Sequence, residues 1–223
     1  MFKQLLDAWR GKDILSKMFD ELVQMIEDDE WMFRAVCDVL LGDKPGSELS
    51  EELYERDIRV NKTERSIRRQ IVAHLAVRPG TEVPSCLVLM SVVKDAERIG
   101  DYCKNLFEVE RLARGGLTDD KYVKTFRRLA DDIAATFGKT RRAFAEGDSD
   151  VGHDVIEHEL EIGQRCDEIL KRLADDSLPC RRAVAYTVTV RYLKRVSAHL
   201  GNIASSVVMP IHKIDYFDEK WER

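Results

Sequence analysis

The amino-acid sequence predicts an all-α protein of two three-helix bundles related by an internal repeat. Three observations carry that expectation. Charged residues make up 35% of the 223 and aromatic residues only 8%, the profile of long amphipathic helices rather than of sheets. Glycine and proline gather at a few places and leave long uninterrupted stretches whose apolar residues recur at helical spacing. The spacing of the second stretch then returns in the second half of the chain.

The first helix is expected from about Lys12 to Leu41, with Ile14, Leu15, Met18, Phe19, Leu22, Ile26, Phe33, Val36 and Leu40 at helical spacing. Gly42-Asp43-Lys44-Pro45-Gly46 breaks it, and Ser47 or Ser50 can cap a second helix that continues to about Val77, since serine accepts from the free N–H groups of a first turn. Pro79-Gly80 ends that helix. A third begins near Thr81, tolerates Pro84 in its first turn and runs to about Arg114, before Gly115-Gly116.

A fourth helix starts behind Thr118-Asp119-Asp120 and carries Tyr122, Phe126, Leu129, Ile133, Phe137 and Phe144 on one face. Gly147-Asp148 ends it, and Ser149 can open the fifth, which reaches about Ala174. Asp176-Ser177 with Pro179 opens the sixth, which stops at about Val208, before Pro210. Helices this long are not stable alone, so their stripes must pack as bundles. The domains are expected at 1–116, with an N-terminal amphipathic segment, and 117–223, with a C-terminal tail.

The repeat shows in the buried seams. In the second helix, alternating steps of four and three pick out Leu53, Asp57, Val60, Glu64, Ile67 and Ile71. The same steps in the fifth helix pick out Val155, Glu159, Ile162, Cys166, Ile169 and Leu173. A common offset aligns Arg98 with Arg195 and Asn105 with Asn202 in the third and sixth helices.

Asp57 and Glu64 occupy seam positions where apolar residues belong. A buried carboxylate without a partner costs several kcal/mol, so each must meet a cation, a donor or water. Asn61 lies one turn beyond Asp57 on the same face. In the third helix Glu97 and Asp101 are neighbours at the same spacing, and a divalent cation between such carboxylates turns their repulsion into ligation. All-oxygen ligands suit Mg, Ca, Mn or Fe. The plainer reading stands beside this one: Lys94, Arg98 and Lys104 can neutralise Glu97 and Asp101, and Arg56 or Arg68 can serve the second helix.

Glu55-Arg56-Asp57-Ile58-Arg59-Val60-Asn61 with Glu64 and Ile67, followed by Asp95-Ala96-Glu97-Arg98-Ile99-Gly100-Asp101 with Asn105, resembles the PhoU family of phosphate-signalling proteins. The Glu-Arg-Ile-Gly-Asp string is its most specific mark, and the likeness spans about residues 12 to 209. The resemblance implies two three-helix bundles and a metal site of iron, zinc or another divalent ion. Glu97 and Asp101 match the family's acidic pair, Asp57 and Asn61 match its counterpart on the preceding helix, and Glu64 joins them as a candidate ligand. It further implies a non-enzymatic cytoplasmic regulator of phosphate transport and homeostasis whose partner is a phosphate transporter component or a sensor kinase. In the second half Lys194-Arg195-Val196-Ser197-Ala198 stands where the acidic string would recur, so the metal expectation is confined to the first bundle. Two other readings stay open: an accessory subunit of a sodium–phosphate or low-affinity phosphate carrier, and a metal-dependent phosphoester enzyme. Against the enzyme, there is no phosphate-cradling glycine loop and no nucleophile elbow.

The remaining features are weaker. Five cysteines without CxxC spacing read as core thiols of a reduced compartment. The five histidines form no ligand pattern, and Arg127-Arg128, Arg141-Arg142 and Arg181-Arg182 read as solvated pairs. A net charge of -5 argues against nucleic acid as a partner. Asp7 interrupts the N-terminal apolar stretch, against a signal peptide. Phe2, Leu5, Leu6 and Trp9 at one end, and Tyr216, Phe217 and Trp221 at the other, are expected to pack on the bundles or on a homodimer mate, with peripheral membrane contact as the alternative.

Overall fold

Six long α-helices lie among the described residues: α1 Asp13–Leu40, α2 Ser50–Val77, α3 Val83–Ala113, α4 Lys121–Glu146, α5 Ser149–Ala174 and α6 Cys180–Val208. A short 3-10 turn, Ile211–Lys213, follows α6. The structure, a computed structural model, describes residues 2–3, 13–42, 49–77, 80, 82–113, 117 and 121–217. Among these there is no strand, and no helix is long and apolar enough to cross a membrane. The expected caps at Ser47 and Thr118-Asp119-Asp120, and the aromatic or apolar residues Leu5, Leu6, Trp9 and Trp221, lie outside the described residues.

Helices α1–α3 form one bundle and α4–α6 the other. Helices α1, α3, α4 and α6 pack together in the middle of the molecule, while α2 and α5 lie on the outside, each against the other two helices of its own bundle. The predicted seams face inward: Leu53, Val60, Ile67 and Ile71 of α2, and Val155, Ile162, Cys166, Ile169 and Leu173 of α5, are all buried. In α1 the apolar stripe is buried apart from Ile14, which is half exposed.

The α4–α5 link shows how two residues can turn the chain. Gly147 takes a positive φ of 66°, a conformation glycine adopts without the Cβ clash of other residues. Asp148 then donates its N–H back to the Ala143 carbonyl, closing the helix end. The Asp148 carboxylate immediately caps α5 by accepting from the N–H groups of Asp150 and Val151. Ser149 is thus the first residue of α5, as the sequence suggests, and Asp148 before it is the cap.

Two helix pairs join the bundles. Between α1 and α4, Phe19 stacks on Phe144 with ring centroids 4.7 Å apart, and Phe33 packs on Phe137. Phe2 is also buried against Phe144, so this end of the chain packs on the protein itself. Arg141 bonds Glu27 at 2.7 Å, and Arg34 donates to the Ala134 carbonyl. Between α3 and α6 the contact is more polar. His199 Nδ1 and Asn202 Nδ2 both donate to Asp95 Oδ1, at 2.7 and 2.8 Å, and Tyr102 packs on Tyr192 and His199. All five cysteines are free thiols.

Candidate functional site

The predicted residues lie where α2 and α3 run side by side. Asp57 and Glu64 are buried in the α2 seam at 7% exposure each, so their carboxylates need partners, and each has one. Lys104, on α3, places Nζ 3.1 and 3.2 Å from the two Asp57 oxygens and 2.9 Å from Asp101 Oδ1. Asn61 donates to Asp57 Oδ2 at 3.3 Å. Asp57, Asn61 and Asp101 are therefore gathered around one ammonium group. Glu64 stands apart, bonded by Arg68 at 2.9 Å, and Glu97 is bonded by Lys94 one turn before it. The neutralising partners foreseen from the sequence are thus Lys94, Lys104 and Arg68. Arg56 reaches elsewhere: it bonds Asp28 of α1 and Glu52, with its guanidinium 4.0 Å over the Trp31 ring.

Burial tends to pull the Lys104 ammonium down, but its bonds to Asp101 and Asp57 outweigh that effect and raise its pKa. The lysine therefore carries its charge at neutral pH.

One functional-looking residue escaped the sequence reading. Asp29 of α1 is fully buried, and neither of its carboxyl oxygens has a hydrogen-bond partner. Burial, and then the neighbouring charges of Asp28, Asp57 and Glu97, push its pKa well above the ordinary carboxylate range. Both effects favour the neutral acid over the carboxylate. Its space comes from Gly100, where an added Cβ would stand 3.0 Å from Asp29 Oδ1. The neighbouring Asp28 is also buried, but it is clamped by Arg56 and Arg59. A signal for Asp29 was present, since Leu22, Ile26, Asp29, Phe33 and Val36 continue one seam through α1.

In the second bundle the corresponding region is filled differently. Glu159 lies buried in α5 and packs against Gly201 of α6, beside the Phe217 ring of the C-terminal tail. Lys194 bonds Asp167 at 2.6 Å. Its alkyl end and the Glu159 carboxylate both lie 3.8 Å from where a Cβ on Gly163 would be.

The PhoU domain family model matches residues 15–109 and 126–207, one match on each bundle. The chain belongs to the PhoU family. The PhoU structure from Pseudomonas aeruginosa superposes with a TM-score of 0.71 at 22% identity, covering 93% of this chain and 97% of that one. The phosphate transport system regulatory protein PhoU from Streptococcus pneumoniae superposes at 0.67 with 13% identity, covering 93% and 95%. No match to a curated protein was found. At these identities the likeness in structure concerns the fold.

Membership in the PhoU family implies a metal centre, and the residues present can be tested for one. The oxygen donors of Asp57, Asn61 and Asp101 have the right chemistry for a hard cation. Their common centre is taken by the Lys104 ammonium, and among the described residues no three His, Cys, Asp or Glu side chains converge as an ion would require. As these side chains stand, they do not fit a metal ion.

Proposed function

We propose that the protein is a non-enzymatic regulator of phosphate transport and phosphate-responsive signalling, acting by contact with a phosphate transporter component or a sensor kinase. The match of the PhoU domain to both bundles is the observation that supports it. Its structural neighbours, one of which is a phosphate transport system regulatory protein, point the same way. The reading places the protein in the cytoplasm, where the inner face of a transporter or a kinase is accessible, and as a homodimer. Its long helices offer extended faces for a protein partner. Asp57, Glu64, Glu97 and Asp101 are each paired with a lysine or an arginine, which favours a scaffold over a catalyst.

The test is affinity isolation of the tagged protein from its native cell membranes at high and at low phosphate, with phosphate uptake followed in a deletion strain. The expected result is recovery of a transporter component or a sensor kinase, with uptake no longer restrained at high phosphate in the deletion strain. Uptake that is unaltered by the deletion at either phosphate level would refute the reading. Recovery of a sodium–phosphate or low-affinity carrier alone would favour the accessory-subunit reading, which the replacement of the second acidic string by Lys194 and Ala198 supports.

A further inference from the structure

The carboxylates that the family motif supplies are not left waiting for an ion in this chain. We propose that a lysine side chain of the protein itself, Lys104, takes the place of the metal in the first bundle, so that this member folds without one. The inference rests on family membership and not on the phosphate reading, and each can fail without the other.

The geometry in the first bundle is that of a bridging cation. Lys104 comes from the same helix as Asp101, one turn further on, and crosses to Asp57 on α2. It contacts both oxygens of Asp57 and one of Asp101, all at 2.9 to 3.2 Å. A divalent ion between the helices would need those same oxygens. The ammonium is three-quarters buried, with its side chain 24% exposed, and the Asp57 side chain is 10% exposed. A cation must sit there, because two carboxylates in that position would otherwise repel one another and strand Asp57. A tethered ammonium meets that requirement with no loss of translational freedom on binding, whereas a free ion has to be recruited.

The second bundle loses the site by a different route. At the position equivalent to Glu97 the chain has Lys194, and at the position equivalent to Asp101 it has Ala198. Two potential ligands are thereby lost and one positive charge is added. The Lys194 stem approaches Glu159 across Gly163, and the ring of Phe217 closes over the other side of Glu159 at Gly201. The Lys194 ammonium bonds Asp167 rather than Glu159, so the second bundle loses these ligands without a lysine bridging carboxylates.

The full-length protein, purified without chelator, would be analysed for iron, zinc and manganese, and titrated with Mn(II) by calorimetry and by thermal melts with and without EDTA. The wild type is expected to hold less than one ion per chain and to melt at the same temperature in all conditions. Lys104→Ala is expected to melt lower without metal. It should also bind Mn(II) at least about tenfold more tightly than the wild type, and recover its melting temperature in its presence. Adding Asp57→Asn and Asp101→Asn to Lys104→Ala should abolish that gain. If Lys104→Ala does not fold, Lys104→Gln keeps the length and removes the charge, and the same outcomes apply. A wild type that carries stoichiometric metal, lost in Asp57→Asn with Asp101→Asn, would overturn the proposal. A folded Lys104 variant with no gain in Mn(II) binding would overturn it equally, because the carboxylates would then not be a cation site at all.

Discussion

Asp29 and Gly100 show how one missing methyl group can admit a buried acid. The Asp29 carboxyl has no hydrogen-bond partner and lies against the bare Cα of Gly100, where a Cβ would come within 3.0 Å of Oδ1. A fully buried aspartate is short and cannot swing away, so Gly100→Ala must push it or spread α1 from α3. Overpacking of this kind costs about 1–3 kcal/mol. In Asp29→Ala the same methyl meets an open space. We therefore expect Gly100→Ala to lower the denaturant midpoint in the wild-type background and to cost much less in Asp29→Ala, a coupling that a double-mutant cycle measures. Additive effects would mean that the two residues do not compete for the same space. The neutral form of Asp29 also explains how it is tolerated beside Asp28, Asp57 and Glu97: a fourth charge at this depth would be uncompensated.

At the scale of a helix, the sequence reveals most where a single rule decides. The ends of α1, α2, α4 and α6 fall within about two residues of expectation, where Gly42, Pro79, Gly147 and Pro210 follow them in the sequence, and every seam position named in α2 and α5 is buried. The acidic residues of those seams were legible for the same reason: they break a step of four and three. Asp29 breaks the α1 seam in the same way, but the adjacent Asp28 makes the pair look like a solvated patch. Asp95 was hidden differently. Its burial comes from α6, a partner that local spacing on α3 cannot reveal, and so does the His199 and Asn202 pairing. At the start of α5, Asp148 is held below the usual carboxylate range by the Val151 N–H and then by Arg142. The stability it lends is present above its unfolded pKa and is lost as pH falls through the lower folded value. Asp148→Ala is expected to lower the melting temperature at pH 7, and Asp148→Asn, which keeps an acceptor, to lower it less. The gap between wild type and Asp148→Ala should narrow as the pH falls below 3.8 and through the lower folded pKa. A gap that does not narrow on acidification would assign the effect to the loop rather than to the carboxylate cap.

For the whole molecule, what matters is how the C-terminal tail closes the seam between the two bundles. After α6 the chain turns back, buries Ile214, and sets Asp215 over the meeting of α3 and α6 in a positive-φ conformation of 74°. The Asp215 N–H donates to Ser205 of α6, and Ser91 of α3 donates to its carboxylate at 3.5 Å. Through this residue the tail touches both bundles. Burial, and then the charge of Asp95, push the Asp215 carboxyl up to about 6; the Ser91 hydroxyl, His199 and Arg98 pull the other way and do not win. The sign of the pH effect follows from the unfolded value of 3.8. Below 3.8 both states hold the proton and the contribution to stability is complete. Between 3.8 and about 6 the unfolded chain gives up its proton first, so that contribution is lost as pH rises through the folded pKa. At pH 7.5 the protein thus carries a charged Asp215 in a place that favours the neutral acid. Asp215→Asn removes the charge, keeps a side chain that adopts positive φ readily, and retains an acceptor for Ser91. The variant is expected to melt higher than wild type at pH 7.5 and equally at pH 4, with hydrogen exchange at 211–217 slowed only at the higher pH. Comparing variant with wild type at each pH cancels the titration of the five histidines, which both chains share. If Asp215→Asn instead melted lower at pH 7.5, the attraction of His199 and Arg98 would outweigh burial and Asp95, and the tail would be held by charge rather than in spite of it.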